Sequence, residues 1–336
     1  PSGLWLGGAS GDWNLAGNWC GGIPTSATNV IIPSGASVSI ASANAVANTV
    51  NINAGGILTM TGTNNLDITA GGSFINNGTF TATGSTGTVN FLGNGTISGT
   101  TIFNNIDTYG ALNFGTASTV SGIFTIQTGG SVTGNGPFYS CPSSVLSYKP
   151  GSVFNRGLEW SGTSSGAGYP ANVYIQNNST INFPIAGNGY ICNDLQIDSG
   201  SSLLQDHSGG SAALRVGRNV TLNGTLSLGS SAGGDIYVGG NWVRNSGGIF
   251  NANDRAVTFD GPANFSGNGS SMSTITAPAS AAKDNEGGFG GEKFAQLWVN
   301  KSNAMDSVVL LTNITITREL GFTKGVFSLR NNDVTL

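Results

Sequence analysis

One stretch of this chain is written twice, and that constrains the fold more than any other feature. Gly71-Gly72-Ser73-Phe74-Ile75-Asn76-Asn77-Gly78 opens the first copy, which runs on to Val89-Asn90-Phe91-Leu92-Gly93 and Ser98-Gly99. Gly239-Gly240-Asn241-Trp242-Val243-Arg244-Asn245-Ser246 opens the second, which runs on to Val257-Thr258-Phe259-Asp260-Gly261 and Ser266-Gly267. The copies align without a gap at an offset of about 170 residues, the mark of a repeat architecture. Such a chain is expected to build length and surface rather than one reaction centre.

Between and around the copies run short alternating segments such as Thr49-Val50-Asn51-Ile52, Ile57-Leu58-Thr59-Met60, Leu66-Asp67-Ile68, Thr79-Phe80-Thr81 and Thr88-Val89-Asn90-Phe91. Period-two alternation of this kind predicts half-buried strands. Ala54-Gly55-Gly56, Ala70-Gly71-Gly72, Asn76-Asn77-Gly78 and Asn94-Gly95 separate them, supplying the positive φ that tight turns need. No stretch carries the 3.6-residue period of an amphipathic helix. A sandwich of hairpins and a parallel solenoid both fit the string. Coils of roughly 16–25 residues match the turn spacing, and stacked Asn, Thr, Val and Ile form ladders. The expected fold is therefore all-β: a right-handed parallel β-helix, or β-solenoid, with an N-terminal Trp-rich cap and inserted loops.

Only 8% of the 336 residues are charged, the net charge is -4, and 54 residues are Gly. Disorder usually brings high net charge and few β-branched residues, so an ordered fold is expected. Twelve Lys and Arg spread along the chain make no basic face, which argues against nucleic acid as a partner. No apolar run is long enough to span a membrane as a helix.

The sequence divides into four regions. Residues 1–28 form the cap, where Trp5, Trp13 and Trp19 would plug the first coil; an aromatic ligand platform is the alternative reading. Residues 29–137 form a first solenoid block. Residues 138–171 read as a non-repeating insertion rich in polar and aromatic side chains. Residues 172–336 form a second block, strand-like to its last residue and expected to continue in a longer natural protein. Within that block, about Ser270 to Glu292 reads as a loop inserted between two coils.

Candidates for chemistry are few. The single histidine, His207, stands beside Asp206, which by itself is weak support for a nucleophilic triad. Paired acids of the kind polysaccharide-active β-helices use are represented by Glu159 with Arg156, and by Asp254 with Arg255 and Asp260. Asp284, Asn285, Glu286 and Glu292 offer the oxygen ligands calcium prefers, against the reading of a solvated loop. No metal, cofactor or catalytic residue is assigned, and the chain is not expected to be an enzyme. Tyr148, Trp160 and Tyr169 are the candidate sugar-stacking residues. Of the three cysteines, isolated buried thiols are the first reading, and a disulfide between Cys141 and Cys192 is the alternative. Asn-X-Ser/Thr occurs often, for example at Asn219 and Asn223, as expected by coincidence in so Asn-rich a chain.

The ordered set of motifs resembles a known class. Trp5, Asp12-Trp13 and Asn18-Trp19-Cys20-Gly21-Gly22-Ile23-Pro24 are similar to the start of large secreted β-solenoid proteins of Bacteroidota. Arg156-Gly157-Leu158-Glu159-Trp160, Gly168-Tyr169-Pro170-Ala171-Asn172-Val173, Leu226-Ser227-Leu228-Gly229, Gly234-Asp235-Ile236, Gly239-Gly240-Asn241-Trp242 and Arg255-Ala256-Val257-Thr258-Phe259 continue the match. The resemblance implies an extracellular or cell-surface protein, adhesin-like or linked to gliding motility. It also implies export by the type IX secretion machinery. It carries no catalytic residues. Asp306-Ser307-Val308 resembles the O-glycosylation signal of that phylum, which makes Ser307 a candidate modification site. The expectation is a non-catalytic structural and adhesive stalk or filament segment, capable of self-assembly, with polysaccharide or protein ligands unknown. The alternative is a carbohydrate-binding or polysaccharide-active β-helix.

Overall fold

The computed structural model describes residues 2–82, 84–115, 118–183, 187–205, 207, 210–262, 269–278 and 291–336. Nearly all regular structure among the described residues is β; Ala16–Asn18 forms a 3-10 turn near the start. Among the described residues, every pairing between strands is parallel, with one antiparallel bridge, Trp5 to Trp19, in the cap; each coil lies on the one before, and the fold is a parallel β-solenoid. The chain divides into two compact units, one holding Pro1–Pro150 with Gly157–Glu159 and Gly166–Gly168, the other holding Gly151–Arg156, Trp160–Ser165 and Tyr169–Leu336.

In the first unit each coil visits three faces in a fixed order. Thr49–Ile52, Ile57–Met60 and Leu66–Ile68 make one coil; Ser73–Asn76, Thr79–Thr81 and Thr88–Phe91 make the next. The inward side chains stack in register: Ala45, Leu66, Val89, Ile106, Phe124 and Leu146 form one ladder, every member at most 3% exposed. Val30, Val50, Phe74 and Ile97 form a second ladder on another face. Both glycines of the Ala-Gly-Gly turns are needed, for different reasons. Gly55 and Gly71 hold φ of +79° and +81°, where a side chain is strained. Gly56 and Gly72 press against the preceding coil, where a Cβ would run into the carbonyl oxygens of Ile32 and Asn48.

The second unit repeats the plan with Val173, Leu195, Val220, Trp242, Ile275 and Leu310 as its inward ladder, all fully buried. Its seven-stranded sheet holds two long strands, Glu292–Asn300 and Ile314–Lys324, and ends in the short Val334–Thr335. The duplicated sequence keeps one alternation in both copies. Phe74, Val89 and Phe91 point inward in the first, and Trp242, Val257 and Phe259 in the second. Each copy also seeds a three-ring cluster: Phe74, Phe80 and Phe103 in one unit, Trp242, Phe250 and Phe294 in the other. Ser266 and Gly267 of the second copy lie outside the described residues.

At the N-terminus Trp5, Trp13 and Trp19 are buried and pack edge to face, Trp19 lying 4.9 Å from each of the other two. The Trp19 indole N–H donates to the Trp13 carbonyl at 2.6 Å. Ser10–Asp12 joins the sheet beside Ser37–Ser39. These are the contacts expected of a plug, and the three rings offer no open face to a ligand. Residues 138–171, expected to be an insertion, contribute Phe138–Tyr139 and Val145–Tyr148 to the stack of the first unit and Val153–Asn155 to the second. Met272–Thr276, within the expected loop at 270–292, is likewise a strand, pairing with Trp242–Val243 and with Ser307–Leu310.

Cys141 and Cys192 are disulfide-bonded and Cys20 is a free thiol. Thiol titration of the denatured, unreduced protein is expected to find one thiol, rising to three after reduction. Three thiols before reduction would rule the disulfide out.

Candidate functional site

Most of the charged residues that looked like chemistry, Glu159, Arg156, Asp260 and Glu292, are buried and engaged. In the first unit Glu159 is fully buried. Its Oε1 accepts from the Tyr148 hydroxyl at 2.8 Å and from the Gly157 N–H at 2.7 Å. The Tyr139 hydroxyl donates to the Glu159 carbonyl at 2.9 Å. Burial, reinforced by the Glu159 charge, pushes the Tyr139 phenol well above its usual range. This carboxylate holds a turn together and reaches no solvent.

In the second unit Arg156 is 7% exposed. It donates to the Gly187 and Asn188 carbonyls at 2.5 and 2.9 Å and lies over the Phe183 ring at 4.2 Å. Trp160 packs edge-on against Phe183 and donates its indole N–H to the Tyr190 carbonyl. The sugar-stacking expectation therefore needs correction. Tyr148 and Trp160 are fully buried and cannot lie against a sugar ring, and only Tyr169, half-buried, keeps any open surface.

Glu292, read from sequence as part of a solvated loop with calcium binding as the alternative, is 3% exposed and belongs to a buried ion pair. Arg244 Nε meets both carboxylate oxygens at 3.0 Å, and the Trp242 indole N–H donates to Oε2 at 2.8 Å. Arg244 also donates to the Gly291 and Gly248 carbonyls. Burial pushes the Glu292 carboxyl up; Arg244 and the Trp242 and Lys293 N–H groups pull it back. Asp284, Asn285 and Glu286 lie outside the described residues.

Lys301 is 2% exposed. Its ammonium donates to the carbonyls of Asp260 and Ser270 and to the Ser273 hydroxyl at 2.7–3.0 Å. Desolvation pulls its pKa down to about 8, against the opposing charges of Asp306 and Asp260. The two other candidate acids have separate partners. Asp260 receives the Asn300 amide at 2.7 Å and faces Arg215 at 3.7 Å. Asp254 pairs with Arg318 at 3.2 Å in the open, where an ion pair contributes little.

Ser307 is half-buried at the start of a strand, its N–H bonded to the Ser271 carbonyl. His207 is exposed in a turn, and Asp206 lies outside the described residues.

What the sequence does not announce is a side-chain ladder along the coil corners. In the second unit Asn172 Oδ1 accepts the Asp194 N–H, Asp194 Oδ1 the Asn219 N–H, Asn219 Oδ1 the Asn241 N–H, and Asn241 Oδ1 the Thr274 N–H, all between 2.9 and 3.3 Å. In the first unit Asn44 binds the Asn65 N–H and Asn65 the Thr88 N–H at 2.9 Å, and Asn105 binds the Ile123 N–H at 3.1 Å. Each acceptor satisfies a main-chain donor one coil further on. Replacing Asn219 with Ala orphans the Asn241 N–H and also removes a 2.9 Å bond to Asp194. It is expected to cost about 1–2 kcal/mol in denaturant unfolding, whereas Asn245→Ala, which removes only an exposed side-chain bond to Asn223, should cost under about 1 kcal/mol. Equal losses for the two variants would show that the acceptor is not what matters. The same geometry leaves the Asn219 sequon unsuited to a glycan, since Val220 is fully buried.

A parallel β-solenoid with ladders at its corners is the class these features define. A family model described as a domain of unknown function (DUF8693) matches residues 4–142, so the N-terminal part of the chain is similar to that family. No curated protein and no solved structure matches the chain.

Proposed function

We propose that the chain is a structural and adhesive segment of a large extracellular surface protein or filament, a stiff β-solenoid stalk that works mechanically. The observation that carries this reading is the corner ladder. Main-chain pairing and Asn or Asp side chains join each coil to the next, so stiffness accrues coil by coil without any single indispensable contact. The duplicated block supports it as well, because copying a coil set lengthens a spacer. The motif resemblance to secreted Bacteroidota solenoid proteins supports a cell-surface location and export by the type IX machinery. Adhesion in this reading is weak per site and gains strength through avidity.

Electron microscopy of the native, full-length protein on its cell, or shed from it, tests this. Long uniform rods or fibres that carry an antibody raised against this segment are the expected result. Compact isolated particles would sink the stalk role.

A further inference from the structure

The seven-stranded sheet of the second unit carries an outward row that the sequence hides. Tyr190 stands opposite Arg215, Arg215 opposite Tyr237, Tyr237 opposite Thr258, Thr258 opposite Trp298 and Trp298 opposite Gly321. Tyr190, Tyr237 and Trp298 are half-buried, with part of each ring at the surface. Arg215 lies over Tyr237, its guanidinium carbon 3.8 Å from the ring centroid. Gly321 leaves Trp298 lying against bare backbone, where a Cβ would collide with the indole.

Three properties of this row point to a ligand. First, aromatic rings recur every second coil, a rise of about 9.6 Å, which is close to one disaccharide of an extended β-1,4-linked chain. Second, the polar tips are open. Among the described residues, the Tyr237 hydroxyl and the Trp298 indole N–H meet no partner, and Tyr190 only accepts, from the Asn188 amide at 3.3 Å. A half-buried aromatic with a free polar tip suits a surface that is apolar on its face and hydroxylated on its edge, which is what a pyranose presents. Third, the row has no surplus positive charge. Arg215 faces Asp260 at 3.7 Å, and Glu319 stands opposite Gln296 beside the Trp298 position. An acidic polymer gains nothing there.

We propose that this row is a binding track for a neutral, extended β-1,4-linked polysaccharide, with Trp298 as the principal stacking platform, Tyr190 as the second, and Tyr237, one ring face of which Arg215 covers, contributing its hydroxyl and ring edge. Arg215 is a positioning residue that holds the Tyr237 ring. The proposal stands apart from the stalk reading: a stalk can lack the track, and the track can exist on a protein that is not a stalk.

The experiment is native affinity electrophoresis of the whole chain through gels containing hydroxyethylcellulose, arabinoxylan or galactomannan, with polygalacturonate as the acidic comparison. Retardation by at least one neutral polymer is expected. Trp298→Ala and Tyr190→Ala are each expected to weaken it about tenfold, and Tyr109→Ala, an exposed aromatic in the first unit, to leave it unchanged. Circular dichroism melts confirm that each variant is folded. Should Trp298→Ala fail to fold, Tyr237→Ala and Tyr190→Ala carry the test. Retardation by none of the neutral polymers, retardation by polygalacturonate alone, or unchanged binding in folded row variants would each overturn the proposal.

Discussion

Arg244→Ala is expected to destabilise the protein by about 3–5 kcal/mol, because it leaves the buried Glu292 carboxylate without its counter-charge. The effect has a pH signature. Burial already holds the Glu292 carboxyl above its usual value, and Arg244 is foremost among the groups that oppose the shift. Without Arg244 the folded-state value rises further. A carboxyl raised in the folded state binds more protons there than in the unfolded chain. Stability then increases as pH falls through the folded value, and the gain is complete below the unfolded one. The deficit of Arg244→Ala relative to the parent should therefore be widest at pH above the raised folded-state value and narrow as pH falls into the ordinary carboxylate range. Glu292→Gln, which cannot titrate, should abolish that slope in the same background. Thermal melts across the range decide it, and a deficit constant with pH would mean that the carboxylate is not what the arginine holds.

Phe74→Ala should cost a similar amount, about 3–5 kcal/mol, for a different reason. Its ring lies 5.1 Å from Phe80 and 5.4 Å from Phe103, fully buried, and truncation leaves a void that stacked backbones cannot close. Ile75, one residue on, faces outward and is half-buried. Ile75→Ala should cost under about 1 kcal/mol. Denaturant titration of the pair reads the alternation directly. Comparable losses would contradict the inward ladder, and hydrogen exchange at Thr49–Ile52 and Gly95–Gly99, which flank Phe74 in the sheet, would show where the damage lies.

Much of the strand pattern was legible because alternation is local. Thr49–Ile52, Ile57–Met60, Leu66–Ile68, Thr79–Thr81 and Thr88–Phe91 fall where the apolar period placed them. The parallel stacking was also legible, from the turn spacing and the recurrence of Asn, Thr, Val and Ile that can form ladders. Individual side chains were harder. Tyr148 sits in a strand whose last three residues are all buried, so period two fails there and a polar ring reads as surface. Glu292 looked like a loop acid because its partners lie 48 and 50 residues away, with residues 279–290 intervening. The row from Tyr190 to Trp298 escaped notice because the coils that carry it differ in length, so no constant period links its members.

Coil length is where the corner ladder has its widest consequence. The bond from Asn94 spans 17 residues, that from Asp194 spans 25, and Asn300 and Asp260 meet across 40. The corner acceptors meet a main-chain N–H, which nearly every amino acid supplies, so the receiving coil needs no matching side chain. Coils of different length therefore pair in the same stack. A gene encoding such a chain can gain or lose whole coils by slippage or unequal crossing-over, and the seam closes without a second, compensating change. Inherited length variation then becomes nearly neutral raw material, from which reach can be tuned one coil at a time.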